Sequence, residues 1–338
     1  MNPTIKDVAE KAEVSVATVS RVINGLPGYS EDTKKAVLKA VKDLGYQPNA
    51  LARGLVSRKS NTLGVLMPAL SSMVASEILK GIEDGAHHKE QSVIVCNTDN
   101  FGRRTLKYLN VLQEKQVDGI VVVSANLTNE QYRNILQLNK PVVLVSTIYQ
   151  NSDLPYIKVD DEKAAYDATS YLIELGHRNI GMISGSHTDK IAGQPRINGF
   201  KQALRNHGLV VAPGQIFFGD FSFESGMQGL EVLLETTPEI TAVFAANDDM
   251  AAGVLSRAFK KGIKIPEQLS VIGYDNTQLA KMTTPPLTTL AQPLYEMGRQ
   301  GIEMLIRYID KGKTMKSVIL PHTIIGRETV KKPEIYLV

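Results

Sequence analysis

The feature that most constrains the fold of this 338-residue chain is an alternation that begins near residue 62 and continues for about 275 residues. Short runs of β-branched and other apolar residues alternate with helix-length segments. Such runs are typical of strands buried on both faces, and their alternation with helices predicts parallel, doubly wound sheets of the α/β class. The pattern is too long for one open sheet, so it predicts two similar lobes with a cleft between them. The predicted strands are residues 63–67, 93–95, 120–123, 142–145, 180–183, 242–245 and 271–272.

The first sixty residues show a different pattern, which predicts three short helices. Thr4 is placed to cap a helix through about residue 12, with Asp7 as its acidic capping partner. Ser15 caps a second helix through about residue 24, and Ser30 caps a third helix that stops at Gly45. The side chains predicted to pack together are Ile5, Val8, Ala9, Ala12, Val19, Val22, Ile23, Val37, Ala40, Val41 and Leu44.

The first two helices, joined by a tight turn, match a helix-turn-helix, whose second helix enters the major groove of DNA. Val16, Ala17 and Arg21 fall on the face opposite the packing residues, so their side chains are available to reach base edges. Arg21 can pair with a guanine, and the two small apolar side chains can contact a thymine methyl group. Three helices that only pack together would show the same spacing, so the pattern by itself leaves both interpretations open.

Charge is distributed unevenly along the chain, although the formal net charge is only +3. Residues 1–60 contain ten Lys and Arg against six Asp and Glu, whereas the remaining residues contain 28 against 29. A basic head on a neutral body is expected of a nucleic-acid-binding protein, although a solvated charged face gives the same counts.

Several features of the sequence indicate a cytoplasmic protein that is neither an enzyme nor a membrane protein. No apolar run approaches the roughly 18 residues of a membrane helix, and no apolar stretch follows the charged N-terminus as in a signal peptide. The single cysteine, Cys96, lies in an apolar run, so we expect a buried thiol in a reducing compartment. His87 and His88 have no cysteine or acidic partner at metal-binding spacing, and residues 181–185 lack the central serine of a nucleophile elbow. We therefore expect no catalytic residues, no metal and no other cofactor.

Three long motifs resemble the lactose-repressor (LacI/GalR) family of bacterial transcription regulators. They are TIKDVAEKA at residues 4–12, SVATVSRVIN at residues 15–24 and LGYQPNALARGL at residues 44–55. One departure lies in the predicted turn, where Glu13 stands at a position that the family usually fills with glycine.

The resemblance implies a division of the chain into head, hinge and core. A three-helix helix-turn-helix head would occupy residues 1–47, and a hinge helix and linker would occupy residues 48–60. Residues 61–338 would form an effector-binding and dimerisation core similar to periplasmic binding proteins. Its first lobe would comprise about residues 61–161 and 291–322, and its second lobe about residues 162–290 and 323–338.

The resemblance also implies how the head and the hinge bind DNA. Residues 48–56 resemble the family's hinge helix, which enters the minor groove, and Leu55 matches the leucine wedged into the central base step. Without the resemblance, the same segment would be interpreted as a linker with Leu55 packed on the core. The implied DNA-binding residues are Thr4, Ser15, Val16, Ala17, Thr18, Ser20, Arg21, Asn24, Tyr29, Asn49, Ala52, Arg53 and Leu55.

In the core, Asn247 and Asp275 follow predicted strands, at the edge of the sheet where doubly wound folds bind ligands. The resemblance places Arg196, in the motif RINGF, and the aromatic Phe221 in the same effector site. A carboxylate, an amide and a guanidinium suit a polyol, and an aromatic ring can pack against a sugar ring. The alternative is a structural ion pair between Arg196 and Asp275.

The first lobe departs from the family pattern on its side of the cleft. Residues 71–74 read SSMV where many members have Asn-Pro-Phe-Phe, and Ser146 stands where many have an acidic residue. Ser72, Met73 and Ser146 are therefore the candidate effector contacts of the first lobe.

The resemblance implies a homodimeric repressor of a carbohydrate-utilisation operon, bound to a pseudo-palindromic operator and controlled by a sugar or sugar phosphate. The nearest alternative is a catabolite-control regulator, whose co-regulator is a serine-phosphorylated phosphocarrier protein. That subgroup usually has lysine at the position of Arg196 and arginine at the position of Glu303, and a glutamate there would repel a phosphoserine. A purine co-repressor is a third option. Residues 329–338 contain no leucine heptads, so the family's optional tetramerising helix is not expected.

Overall fold

The computed structural model describes residues 3–46, 59–99, 102–150, 152–312 and 314–333. The chain divides into two compact units, Met1–Ser60 and Asn61–Val338. Among the described residues, no helix combines the length and the apolar composition that crossing a membrane requires.

The first unit contains the three predicted helices, α1 (Ile5–Lys11), α2 (Val16–Ile23) and α3 (Glu31–Leu44). All three predicted caps are confirmed. Thr4 forms a capping box with Asp7, and the side chains of Ser15 and Ser30 accept hydrogen bonds from backbone N–H groups in the first turns of α2 and α3. These caps pair N–H groups that a helix cannot satisfy internally.

The apolar stripes of the three helices form one small core, as predicted. Val8, Val19 and Val37, one from each helix, are completely buried in it. Glu13, between α1 and α2, has a φ of 53°. A side chain in this left-handed conformation costs on the order of 1 kcal/mol, which explains why the family usually has glycine at this position.

The second unit contains twelve described strands and nine described helices. The strands are β1 (Thr62–Met67), β2 (Ser92–Asn97), β3 (Gly119–Val123), β4 (Val142–Val145), β5 (Tyr156–Val159), β6 (Ile180–Ser184), β7 (Ile216–Phe218), β8 (Ala242–Ala245), β9 (Ser270–Asp275), β10 (Thr288–Ala291), β11 (Val318–Leu320) and β12 (Thr323–Ile325). The helices are α4 (Met73–His87), α5 (Thr105–Glu114), α6 (Asn129–Gln137), α7 (Asp161–Glu174), α8 (Gly193–Asn206), α9 (Phe223–Thr236), α10 (Asp248–Lys260), α11 (Gln278–Met282) and α12 (Leu294–Lys311).

The strands form two six-stranded sheets, one in each lobe. Their orders are β11-β5-β4-β3-β1-β2 in the first lobe and β12-β10-β9-β8-β6-β7 in the second. The described pairs are parallel except for β10 with β12, which is antiparallel. Neighbouring residues of β1 enter different apolar clusters, Val65 on one face of the sheet and Leu66 on the other. The strands are thus buried on both faces, as the sequence predicts, and the thiol of Cys96 is buried among them.

All seven predicted strands are present, but five further strands were missed. Lys158 interrupts the apolar pattern of β5, and Thr288 and Thr289 interrupt that of β10. The three remaining strands, β7, β11 and β12, have only three residues each, which is too short for a periodic signal.

The chain passes between the lobes three times, after β5, after β10 and after β11. The Nδ2 of Asn126, which follows β3, donates a hydrogen bond to Oδ1 of Asp189, which follows β6, at 3.0 Å. This contact joins loops at the carboxyl ends of the two sheets, so these ends border the cleft between the lobes.

Two glycines allow α4 and α12 of the first lobe to pack with their backbones in contact. A Cβ atom on Gly81 would overlap the carbonyl oxygen of Tyr295, and one on Gly298 would overlap the carbonyl oxygen of Ile78. The overlaps are reciprocal and involve backbone atoms, so neither can be relieved by rotating a side chain.

We predict that Gly298→Ala destabilises the core unit, because the two helices would have to separate to admit the methyl group. Overpacking of this kind costs about 1–3 kcal/mol. Thermal and urea unfolding measure the loss. Gly326→Ala is the matched control, since the nearest atom to an added Cβ there is the Tyr171 hydroxyl at 3.6 Å. Equal stability of the two variants would contradict the prediction.

Candidate functional site

The outer face of α2 carries the three side chains that were predicted to reach DNA bases. Val16 is 41% exposed, and Ala17 and Arg21 are also exposed. The guanidinium of Arg21 lies over Gly28, because its Nη1 is 2.7 Å from the position of a Cβ on that glycine. Gly28 has a φ of 112°, so glycine provides both the backbone conformation and the space for Arg21.

Except for Tyr29, the other predicted DNA contacts in the head take part in local hydrogen bonds. Ser15 Oγ lies 2.9 Å from Thr18 Oγ1, and Asn24 Nδ2 donates to the carbonyl of Ser20 at 2.8 Å. Thr4 belongs to the capping box of α1, and Tyr29 is half-buried against the head core. The predicted hinge contacts, Asn49, Ala52, Arg53 and Leu55, lie outside the described residues.

In the second lobe, Arg196 on α8 is buried with its guanidinium held from three sides. Its Nε and Nη2 donate to Oδ1 of Asp161 at 3.0 and 2.8 Å, and its Nη1 donates to the carbonyl of Ala246 at 2.5 Å. The plane of the group lies over the ring of Tyr274, with 3.7 Å between the guanidinium carbon and the ring centroid. The side chain is therefore fixed before any ligand arrives.

Asp161 binds a second cation. Its Oδ2 lies 3.0 Å from Nζ of Lys158, and its Oδ1 also accepts from the hydroxyl of Tyr274 at 3.1 Å. Burial acts to raise the pKa of Asp161, but the charges of Arg196 and Lys158 outweigh it and keep the pKa below its ordinary value. The carboxylate is thus ionised and pairs with Arg196. The alternative considered from the sequence was an ion pair of Arg196 with Asp275, and the described salt bridge is with Asp161 instead.

Asp275 is buried at the end of β9, with its backbone at a φ of 111°. Its Oδ1 accepts a hydrogen bond from Nε2 of Gln292 at 2.7 Å. Burial raises the pKa of Asp275 to about 8, with a further contribution from Asp248 and opposition from the charge of Arg196. The raised pKa favours the protonated form of this carboxyl group, which can donate or accept a hydrogen bond.

Asp248 is a second buried carboxyl group beside this site. Its oxygens accept hydrogen bonds from the backbone N–H and hydroxyl of Thr277 and from the hydroxyl of Thr289, at 2.6 to 3.0 Å. Burial raises the pKa of Asp248 to about 6, although these hydrogen bonds oppose the rise. Its role is structural, since it ties the start of α10 to the residues that follow β9 and to β10.

Asn247 and Phe221 complete the second-lobe cluster. Asn247 caps α10 by accepting from the N–H of Met250 at 2.8 Å, and its Nδ2 donates to the carbonyl of Phe221 at 2.9 Å. The ring of Phe221 packs on Gly185 and lies 6.0 Å from the Arg196 guanidinium. The structure therefore brings together the four predicted second-lobe residues, Arg196, Phe221, Asn247 and Asp275.

The predicted first-lobe contacts follow β1 and β4. Ser72 precedes α4 without capping it through its side chain, and Met73 is the first residue of that helix. Ser146 follows β4 with a φ of 53°. These three residues are half-buried, and the described hydrogen bonds do not join their side chains to the second-lobe cluster.

The sequence interpretation did not foresee the partners that position Arg196 and Asp275. These are Lys158, Asp161, Tyr274 and Gln292. Asp161 and Gln292 lie where the chain crosses between the lobes, after β5 and after β10. A signal for Asp161 was present, because an acidic pair, Asp160 and Asp161, follows an apolar segment at the start of a helix. Gln292 has no comparable signal.

Among the described residues, no group of three or more His, Cys, Asp or Glu side chains is arranged to hold a metal ion.

Comparison with known proteins gives matches over nearly the whole chain. The family "Bacterial regulatory proteins, lacI family" matches residues 4–49, and "Periplasmic binding protein-like domain" matches residues 169–330. Catabolite control protein A of Priestia megaterium is 41% identical over 332 residues, which cover 98% of this chain and 100% of the relative.

Two solved structures are similar over both units. The lac repressor dimer bound to operator and the anti-inducer ONPF is 26% identical, with a TM-score of 0.89, covering 98% of this chain and 100% of the other. The complex of the transcriptional regulator CelR with cellobiose is 29% identical, with a TM-score of 0.75, covering 97% and 100%. The chain belongs to the lacI family of bacterial regulatory proteins and is a DNA-binding transcriptional regulator.

Proposed function

We propose that this regulator is a cytoplasmic, non-catalytic repressor of carbohydrate-utilisation genes, which acts as a homodimer on a pseudo-palindromic operator. One head would bind each half-site, with α2 in the major groove and the segment around Leu55 in the central minor groove. The exposed row of Val16, Ala17 and Arg21 supports this docking, as does the excess of basic residues in the first sixty positions. The operator complex of the related lac repressor dimer is a precedent for this assembly.

The effector would be a small polyol bound in the cleft of the core. The observation that carries this proposal is the fixed orientation of Arg196 beside Asp275, Asn247 and Phe221. A guanidinium held in place by Asp161 loses no side-chain entropy when a ligand binds, so its remaining N–H groups are ready for ligand oxygens. The carboxyl group of Asp275 and the amide of Asn247 supply further donors and acceptors for hydroxyl groups.

Binding would be coupled to the relative position of the lobes through two of the crossings. Asp161 touches Arg196 and Lys158, which lie in different lobes, and Gln292 touches Asp275. A ligand that reorganises hydrogen bonds at Arg196 and Asp275 therefore acts directly on the segments that connect the lobes. Coupling free energies of this kind are typically about 1–3 kcal/mol, and the DNA must affect effector affinity by the same factor.

The identity to a catabolite control protein supports a second candidate, in which a serine-phosphorylated phosphocarrier protein docks on the first lobe. The charge pattern of α12 argues against it. Arg299 is bound to Glu296 at 2.7 Å and to Glu303 at 2.6 Å, so its positive charge is already neutralised. Glu303 itself would repel a phosphoserine.

We predict that Arg21→Ala lowers affinity for the cognate operator by roughly 5- to 150-fold and relaxes base preference at one position of each half-site, as expected for the loss of a base contact of about 1–3 kcal/mol. Binding to a library of operator variants measures both effects. Lys39→Ala removes the same charge from an exposed site on α3 and is the control. An equal, sequence-independent loss in both variants would show that Arg21 contributes only general electrostatics.

We predict that Asp275→Asn abolishes effector-induced release of operator DNA while leaving operator affinity unchanged. The loss of one hydrogen-bonding partner in a buried site costs about 1–3 kcal/mol, so effector affinity should fall roughly 5- to 150-fold. A thermal-shift screen of sugars, sugar phosphates and purines identifies the effector, and calorimetry then measures its affinity for both proteins. Unchanged effector binding in the variant would exclude Asp275 from the site.

The same substitution should change the pH dependence of stability. Because the pKa of Asp275 is raised in the folded protein to about 8, the folded state holds more protons than the unfolded state between about pH 4 and pH 8. The free energy of unfolding therefore falls as the pH rises through this range. Asp275→Asn removes this pH-dependent loss of stability. The melting temperature of the variant relative to the wild-type protein should therefore be higher at pH 8.5 than at pH 5. Asp153→Asn, at an exposed site, should show no such difference.

We predict that the wild-type protein binds a serine-phosphorylated phosphocarrier protein no more tightly than the unphosphorylated form. Glu303→Arg should create a preference for the phosphorylated form, because it removes one of the two carboxylates that neutralise Arg299 and adds a second positive charge. Surface plasmon resonance with both carrier forms measures this. A clear phosphorylation-dependent affinity of the wild-type protein would favour the catabolite-control candidate.

A further inference from the structure

A cavity of about 410 Å³ lies between the lobes, and its lining does not include the four clustered residues of the second lobe. Its first-lobe walls are formed by residues that follow β3 and β4, and its second-lobe wall is formed by Lys190 and Ile191, which precede α8. Its volume lies within the range of pockets that bind small molecules.

The first-lobe side of the cavity is aromatic. The rings of Tyr132 and Tyr149 stack with their centroids 4.1 Å apart and their planes at 20°. The hydroxyl of Tyr149 donates to Oδ1 of Asn129 at 2.6 Å, which fixes the orientation of the ring. Both tyrosines are half-buried, so each combines a packed ring with a part that faces the cavity.

The rest of the lining is rich in neutral polar groups. The amides of Asn126, Asn129 and Gln150 line the cavity, and Lys190 is its only charged lining residue among the described part of the chain. The Oδ1 of Asn129 accepts from Tyr149, so the amide of this lining residue has its Nδ2 group as a donor. Amides and aromatic rings together match the hydroxyl groups and the apolar face of a sugar ring.

The second-lobe wall is held rigidly. Asp189 accepts hydrogen bonds from the N–H groups of Ile191 and Gly193, at 2.9 and 3.1 Å, and from Nδ2 of Asn126 across the cleft, at 3.0 Å. One carboxylate therefore orders the start of α8 and joins it to the first lobe. This contact links the two walls of the cavity.

The cavity lies close to Arg196 along the chain. Ile191 lines the cavity, and Arg196 is the fourth residue of α8, which begins at Gly193. The backbone from Ile191 to Arg196 consists of two extended residues followed by three helical ones, and it spans at most roughly 12 Å. A ligand of two linked rings can therefore reach from the cavity to Arg196.

We propose that this cavity is a subsite for a second, neutral sugar ring, so the effector is a disaccharide or a longer oligosaccharide. This inference rests on the proposed polyol site at Arg196 and Asp275, which would hold the first ring. The second ring would stack against the Tyr132–Tyr149 pair and receive hydrogen bonds from Asn129 and Gln150. A ligand that bridges the lobes beside the Asn126–Asp189 contact would favour the closed arrangement.

The absence of tryptophan from the sequence provides a direct test. Tyr149→Trp introduces a single tryptophan into the cavity, and Tyr308→Trp introduces one at a 40% exposed site on α12 as the control. Cellobiose, maltose, lactose, sucrose and trehalose are compared with glucose, galactose and fructose. We expect the disaccharide that binds the wild-type protein in calorimetry to shift the emission of Tyr149→Trp and leave that of Tyr308→Trp unchanged.

Affinities of further variants test the energetic contribution of the stack. Tyr149→Ala should weaken disaccharide binding at least tenfold and change the affinity of a constituent monosaccharide less than twofold. Tyr149→Phe keeps the stack and loses only the hydroxyl, so it should retain most of the affinity, and its melting temperature serves as a check on folding. Binding should be insensitive to salt, because the ring is neutral.

The outcomes separate this inference from the proposed function. If Asp275→Asn abolishes disaccharide binding while Tyr149→Ala leaves it intact, the effector site stands and the second subsite is refuted. Equal losses of affinity for the monosaccharide and the disaccharide in Tyr149→Ala would also refute the second subsite. It would be refuted as well if the protein bound only phosphorylated sugars, with an affinity that depends strongly on salt. If no sugar of the panel binds the wild-type protein, both proposals fail.

Discussion

The core unit depends on one buried carboxylate, that of Asp161. Asp161 lies just after the first crossing between the lobes. It pairs with Lys158, which belongs to β5 of the first lobe, and with Arg196, which belongs to the second lobe. A buried charge without partners is strongly destabilising, and two cations together with the Tyr274 hydroxyl remove that penalty here. The same contacts fix the guanidinium of the proposed effector site. Structural stability and the proposed ligand binding would therefore share a single set of interactions.

A second constraint is backbone strain at the ends of the strands. Ser124, Ser146, Phe221 and Asp275, which follow or end strands of both sheets, have left-handed φ values between 46° and 111°. Such conformations are unfavourable for residues with a Cβ and persist only when the surrounding structure enforces them. At Ser124, Ser146 and Asp275 the buried and hydrogen-bonded strands β3, β4 and β9 enforce them. The strain turns the chain sharply at the cleft and presents side chains to it.

The parts of the fold that the sequence predicted well are those with local causes. The caps at Thr4, Ser15 and Ser30 involve residues three positions apart, and the seven apolar strands are recognisable from their own composition. Strands with polar residues or only three residues were missed because their stability comes from neighbouring strands and buried partners. The predicted cluster of Arg196, Phe221, Asn247 and Asp275 was found because the family motifs mark each residue separately. The described salt bridge of Arg196 is with Asp161 and not with Asp275, whose pairing with Arg196 was the alternative to an effector contact.

The sequence by itself determined a basic helix-turn-helix head, a doubly wound two-lobed core and membership of a regulator family, since periodicity, capping and motif spacing are properties of short segments. Only the tertiary structure decided which groups hold those residues in place and where a cavity lies between the lobes. Asp161 and Tyr274 are 113 residues apart, and Asn126 and Asp189 are 63 apart. Contacts over such separations depend on how sheets and crossings bring segments together, and a linear pattern of residue types does not specify that geometry.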